Sequence, residues 1–535
     1  MNAIPGLDTS MDVSDDEGVS FSNMVVDAAD DDEANLEKLW AREQYEMLQQ
    51  EREAAIDEIH GVKSRYDPNA FENHPQIVYQ ALIRFDNELN NANSSIPSEL
   101  KKNYIRALRM NSSYVSSSDF RLRFLRAEFF DIRRAIERFC KCLNMLVEYF
   151  GDVGLLRQLF LSDLSKAERR LLKEGTMQLS ASRDPLGRRI LFFIGNVGEN
   201  YSPRERNRVG MYLIFQVLAE DVTTQRNGFV SISFMSEGVR QTLLKERNQQ
   251  SNFFKDFFQS CPIRISAIHM CFPEELLYRL LMPLMLFVIG KLGRKNLKLH
   301  SGTAIECNYS LNSFGIRIDD IPVTYSGTTK TRQHTRWLKV RMAMDDYIEK
   351  QCINNVDGDY HHFYNSDQNI IKPFPHIQCP DINCVLFHKN GVAWDFPGNV
   401  KFRAFLNEQL TSIGYNKSSS STNSGSARNV DIIVSPTEKE RLFDRIIRLS
   451  LAQNFQFLIH DETKHWYMEL NDTQVLRRYI GFAIRGHHRR ASAKKCRQGE
   501  GNNTSDKQRT QPAVFTNMSE NNYSCGPDGC FHSIR

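Results

Sequence analysis

Apolar residues recur at helical spacing through the first third of the chain, then give way to short, nearly unbroken apolar runs. Ile77, Val78, Ala81, Leu82, Phe85 and Leu89 share one helical face, and Leu100, Tyr104, Ile105 and Leu108 another. Before them, residues 33–63 are rich in Glu, Gln, Arg and Leu, and Leu36, Trp40, Leu48, Ile56 and Ile59 predict one long helix. Ser118 and Asp119 are placed to cap a helix over Phe120–Ala127. Asp131 is placed to cap the next, whose Ile132, Ala135, Ile136, Phe139, Leu143, Leu146 and Val147 make a wide apolar face. A helical bundle is therefore expected over 70–160.

After Gly175 the turn RDPLGRR leads into RILFFI, residues 189–194. FVSISF (229–234), RISAIHM (264–270) and LKL (297–299) follow, with helical patterns at 205–221, 249–259 and 273–291 between them. Strands alternating with helices predict an α/β unit over 161–330, a mostly parallel sheet with flanking helices. A helix over Trp337–Lys350 and a linker over 351–378 come next. A second, small α+β domain is expected over 379–490, interrupted by a flexible Ser/Asn/Gly insertion at 416–428. It holds a helix over Pro436–Phe457, a hairpin in FLIHDETKHWYMEL and a last helix over Val475–Arg485. The tails, 1–32 and 491–535, are expected to be disordered.

Composition sharpens this picture. A chain of 535 residues exceeds one core, and 41% apolar residues support large ones. The net charge of +3 hides an asymmetry: residues 1–37 hold eleven acids and no Lys or Arg, while 477–509 hold ten Lys or Arg against two acids. The uncharged run Leu280–Gly290, bounded by Arg279 and Lys291, is 11 residues long. A spanning helix needs about 20, so no membrane anchor is expected there. The start MNAIPGLDTSMDVSDDEG has neither a basic opening nor an apolar run and does not read as a secretory leader. Eleven scattered cysteines, with Cys140, Cys261 and Cys271 inside apolar patterns, suit reduced, buried thiols. The expected location is cytoplasmic and peripheral at membranes, with the nucleus as the alternative.

Enzymatic signatures are missing. The sequence has no phosphate-binding glycine loop, no nucleophile elbow and no HExxH. His269, alone in an apolar run, reads as a core histidine. Cys525 and Cys530 could supply half of a zinc site, but no other ligands lie nearby, and His487 and His488 belong to a basic patch. No catalytic residue, metal or cofactor is expected, so a binding module is the leading class. Arg121, Arg123, Arg126, Arg133, Arg134 and Arg138 read as a solvated helix face, with a surface for anionic phosphates as the alternative. Arg489-Arg490-Ala491-Ser492 resembles a basophilic kinase site.

Four motifs stand in a familiar order. LRFLRAEFFDIRRA, DPLGRRILFF, CPIRISAIHMCFPEELLYRLLMPLM and IPVTYSG resemble successive blocks of the CRAL-TRIO lipid-binding family, whose members carry phosphatidylinositol, tocopherol or retinal; together they cover roughly residues 75–330. There are departures: Ile268 and Cys271 stand where the family has His and Asn, the acid near Phe234 is missing, and Ile263 replaces a glutamate. Arg264 is kept, and a headgroup lysine falls on Lys295, or on Asn296 if the register slips by one.

The resemblance implies a non-enzymatic module that binds or transfers a hydrophobic ligand or phospholipid and touches an anionic membrane surface during exchange. The cavity would be lined by Phe192, Ile194, Phe215, Ile232, Phe234 and Ile268. Leu277, Leu281, Met285 and Phe287 would face them from a helix gated at Pro283, with Arg264 and Lys295 as headgroup candidates. The alternative is the same fold used as a regulatory scaffold. The second unit resembles a small domain of unknown function found in diatom proteins, on CVLFHKNGVAWDFPGNVKFRAFLNEQL and the later FLIHDETKHWYMELNDTQVLRRYIGFAIRGHHRR. Its Pro397-Gly398-Asn399 reads as a structural turn. Its basic region would offer a surface to nucleic acid or an acidic partner.

Overall fold

Side-chain caps from Ser117, Asp131 and Ser165 set where three of the helices begin. A computed structural model describes residues 38, 42, 45, 47–91, 96–110, 112–195, 201–235, 252–274, 286, 289–291, 293–354, 376–389, 391–393, 395–412 and 436–500. Its helical part contains α1 (Gln49–Ile59), α2 (Pro75–Asn90), α3 (Lys102–Arg109), α4 (Ser118–Ala127), α5 (Ile132–Phe150) and α6 (Lys166–Glu174). Asp131 caps α5 as expected, accepting from the Arg134 amide. The cap of α4 is instead Ser117, which accepts from the Phe120 amide, so Ser118 and Asp119 fall inside the first turn. The bundle core is aromatic: Phe139 meets Phe85 and Phe124 edge to face, both at 5.4 Å, and all three are fully buried.

The arginine-rich stretch is not a solvated face. Arg121, Arg123 and Arg126 are buried, and Arg138 reaches Glu128 and the carbonyls of Phe258 and Cys261. Only Arg133 and Arg134 lie on the surface, paired within their own helix with Glu137 and Asp131. Carboxylates from other segments, Asp86 for Arg121 and Glu72 for Arg126, draw these side chains inward.

The first sheet is built from β1 (Met177–Leu179), β2 (Arg189–Ile194), β3 (Phe229–Phe234), β4 (Ile265–Phe272) and β5 (Leu297–Ser301), in that spatial order. β1 pairs antiparallel to β2, and the other four strands run parallel. The expected α/β class is thus seen; the three-residue edge strand β1 was not expected. Between β2 and β3 lie α7 (Pro203–Met211), a π-helical turn over Tyr212–Leu218 and α8 (Val222–Asn227). The helix expected over 205–221 is therefore continuous but widened in its second half. A further helix, α9, occupies 252–260. After β5 come α10 (Ala304–Ser313) and α11 (Arg332–Asn354).

The second sheet comprises β6 (His376–Ile377), β7 (Cys384–His388), β8 (Gly391–Val392), β9 (Gln456–Asp461) and β10 (Trp466–Glu469), in the order β6-β10-β9-β7-β8. Only the β7–β9 pair is parallel. The expected hairpin is β9–β10, in register at Tyr467↔His460. Helices α12 (Pro397–Ser412), α13 (Pro436–Ala452) and α14 (Thr473–Glu500) complete this part. α13 stops five residues before the expected Phe457 because Asn454, at φ 59, turns the chain into β9. α14 runs to Glu500, well past the expected Arg485. The linker expected over 351–378 is narrowed from both sides, by the end of α11 and by β6. Residues 355–375 lie outside the described residues, as do all of 1–37, 416–428 and 501–535. Among the described residues no helix is long and apolar enough to cross a membrane. Cys140, Cys261 and Cys271 are buried free thiols.

A short clamp joins the two sheets. Arg183 holds Asp221 at 2.6 Å and donates to the carbonyls of Pro380 and Cys379, while the Thr223 hydroxyl meets Asp381 at 3.0 Å. Within the second part, Pro397-Gly398-Asn399 is a packing device. A side chain on Gly398 would bring its Cβ to 2.0 Å from the Cys384 carbonyl oxygen. Asn399, fully buried, accepts from the Leu386 amide at 2.8 Å and donates to the Leu386 carbonyl at 2.9 Å, tying α12 to β7. Asn399→Ala strips the Leu386 amide of this partner, which costs about 1–3 kcal/mol. Hydrogen exchange should show faster exchange of the β7 amides and unchanged protection in β2–β4.

Candidate functional site: the two faces of the first sheet

Successive residues of a strand point to opposite sides, so the register assigns every side chain of the parallel strands to a face. One face carries Ile190, Phe192 and Ile194 of β2, Val230, Ile232 and Phe234 of β3, and Ala267, His269 and Cys271 of β4. All nine are buried. Cys307 and Leu311 of α10, the following Phe314, Ile316, Ile321 and Val323, and Ile59 of α1 pack over them. This face is closed.

Among the described residues, the other face is filled at its sides and at the start of β3. Over β1 and β2, Leu179 and Leu191 join the cluster of the π-helical turn, where Phe215 stacks on Phe257 of α9 at 5.7 Å. Over β4 and β5, Ile268, Met270 and Leu297 pack with Leu286, Ile289 and Phe258. Between these patches β3 contributes Phe229, buried in the first cluster, and then Ser231 and Ser233. Both serines are half-buried, as are Phe193 and Leu299, and neither hydroxyl has a hydrogen-bond partner among the described residues. The result is an apolar trough with two small hydroxyl residues along its floor.

The expected cavity residues separate accordingly. Phe192, Ile194, Ile232 and Phe234 lie on the closed face, as core beneath α10; Phe215 and Ile268 lie on the side of the trough. The reason is register: the packed helix claims the apolar Val230, Ile232 and Phe234 of FVSISF and leaves the serines to the other face. Leu277, Leu281, Pro283, Met285 and Phe287 lie outside the described residues. Leu286 and Ile289, from the segment read as the gate, do reach the half-open face. Ser231 and Ser233 were missed, although polar residues alternating through a central strand mark the face that is not sealed by core.

The headgroup candidates also differ. Arg264 is buried at the start of β4, 2.8 Å from Glu58 of α1, which has no exposed surface. It also donates to the Arg226 carbonyl at 2.9 Å and lies 4.5 Å above the Phe129 ring. Phe129 and Phe130 hold left-handed backbone, φ 52 and 62, which bulky residues rarely adopt. Burial pulls the Arg264 guanidinium below its ordinary pKa, and Glu58 opposes this. Lys295, just before β5, is half-buried and without an acidic partner among the described residues. Of the two cations, only Lys295 is therefore available.

Two carboxylates organise this region. Glu58 also accepts from Arg188 through its backbone carbonyl, at 2.6 Å. Glu72 accepts from both Arg126 and Arg226, which belong to the bundle and to α8, and from the Tyr66 hydroxyl. Burial would raise the Glu72 pKa, but the hydrogen bonds from Arg226, Arg126 and Tyr66 overrule it and hold the carboxyl at about 2. On the closed face His269 is satisfied by His300, Nδ1 to Nε2 at 3.0 Å, and His300 meets Ser310 at 2.7 Å. Burial, then Lys298, lowers His300 to about 4. Both rings are neutral near pH 7, and both are buried in the core. Two surface clefts, about 770 and 540 Å3, lie beside α1 and between α3 and α5; both are lined by residues of mixed charge and lie away from the trough. Among the described residues no cluster suits a metal ion.

Because the folded pKa of Glu72 is depressed, its contribution to stability is complete above about pH 4.5 and is lost as pH falls towards 2. Thermal unfolding midpoints measured from pH 6 down to about 3 should therefore fall, and Glu72→Gln should lower the neutral-pH midpoint and flatten the decline. Comparison with known proteins gives no match to any family model and none to a curated protein.

Proposed function

We propose that the protein binds, and exchanges with membranes, a hydrophobic ligand or phospholipid held in the trough of the first sheet, as its resemblance to the CRAL-TRIO family implies. The observation that carries this reading is the asymmetry of the sheet: one face is sealed by nine buried residues, while the other, among the described residues, has half-buried Ser231 and Ser233 between two apolar walls. Soluble folds seldom leave the centre of a sheet face uncovered, because burying each methylene there gains about 0.8 kcal/mol. An acyl or isoprenoid chain laid along β3 supplies that burial, and the serine hydroxyls and Lys295 offer polar contacts to its head. Nucleophile, metal and cofactor play no part in this reading, in which specificity lies in shape and in these few polar groups.

The test is native mass spectrometry of the full chain, followed by solvent extraction and lipid identification. Wild-type protein should carry a stoichiometric hydrophobic ligand or acquire one from mixed liposomes. Ser233→Trp, which fills the trough on a strand whose core side is untouched, should reduce the bound fraction at least about ten-fold, the equivalent of 1.4 kcal/mol, with an unchanged circular dichroism spectrum. Protein that stays empty after incubation with liposomes, or a Ser233→Trp variant that retains the ligand, contradicts the reading.

A further inference from the structure

The apolar stripe of α14 ends long before the helix does. Leu476, Ile480, Ala483 and Ile484 are buried at helical spacing. From Arg485 to Glu500 the helix continues without a single Leu, Ile, Val, Phe, Met, Trp or Tyr. These sixteen positions hold six Lys or Arg (485, 489, 490, 494, 495 and 497) and one acid, Glu500. At 3.6 residues per turn the six cations are distributed around the whole axis, leaving no sector wider than about 100°. A helix polar all round has no core-facing side, and like charges on neighbouring turns weaken it. Such a segment gains most from a partner that supplies anions on several sides at once.

We infer that residues 485–500 of α14 form a helix that enters the major groove of duplex DNA. The groove is about 12 Å wide and a helix with its side chains about 10–12 Å across, so phosphates flank it on both sides. Cations spread around the axis meet both walls. Ala491, Ser492 and Ala493, in the middle of the stretch, are small enough for close approach to base edges. An anionic membrane is the weaker fit, because a bilayer is a plane and an interfacial helix needs an apolar face towards it. The major groove of duplex RNA is too deep and narrow for the same docking. This inference is independent of the lipid reading, and either can fail alone.

The test uses the full chain and a short, fluorescently labelled DNA duplex of mixed sequence, with anisotropy followed across a salt series. Wild type should bind, with affinity falling steeply with salt. Replacing Arg489, Arg490, Lys494 and Lys495 together by Gln, which preserves helix propensity, should weaken binding at least ten-fold at about 50 mM salt. It should also make the slope of log affinity against log salt shallower by up to about 0.9 per cation removed. Lipid content should not change. A wild-type chain that leaves the duplex unbound, or a substituted chain with unaltered affinity and slope, overturns the inference. So does a wild-type chain that prefers phosphatidylserine vesicles to the duplex and loses that preference on substitution.

Discussion

Because alternate residues of a β-strand point to opposite sides, a sheet buried on one face has a second face that must be covered separately. In this protein the two coverings differ in kind. Helix α10 and the chain after it seal the first face with branched and aromatic side chains, and a buried histidine pair completes it. Three successive parallel crossovers run in one direction across β2–β5, a connection that is right-handed as a rule, and the π-helical turn and α9 lie on the opposite side. The described residues of these connections pack on β1–β2, on the start of β3 and on β4–β5, with two serines in the middle of β3, so the proposed ligand site follows from the topology as much as from any one residue.

A second constraint fixes what that site can offer. The segment carrying Glu58 and Glu72 neutralises arginines from three separate regions: Arg264 at the start of β4, Arg226 after β2 and Arg126 in the bundle. Breaking such a buried pair leaves an uncompensated charge and costs about 3–5 kcal/mol, so Arg264 is held in place as a structural cation. The resemblance pointed to it as a headgroup contact; its geometry ties it to Glu58 instead. On the proposed reading, recognition of the head then rests on hydroxyls and on Lys295, which suits a weakly polar ligand better than one needing several fixed cations.

Much of this architecture was legible in the chain. Four strand runs, the helical bundle, the Asp131 cap and the β9–β10 hairpin all appear close to where apolar spacing puts them, because period and capping are local properties. β1 was not legible: three residues carry too little pattern, and its existence depends on pairing with β2. The arginine stretch misled for a related reason, since its partners Asp86 and Glu72 lie far away in sequence. The faces of the sheet were the hardest to assign. Phe192, Ile194, Ile232 and Phe234 are as apolar as cavity walls should be, and only the packing of α10 shows that they are core. Ser231 and Ser233 carried the better signal, an alternation visible in FVSISF itself.

The most direct measurement is photo-crosslinking with a lipid that bears a diazirine in its acyl chain, followed by peptide mapping of the adducts on the full protein. Adducts on Ser231, Ser233, Ile268, Met270 or Leu299, with none on Phe192, Ile232 or Phe234, are the predicted outcome. Adducts concentrated on the closed-face residues, or confined to the outer surface of the helical bundle, would contradict it.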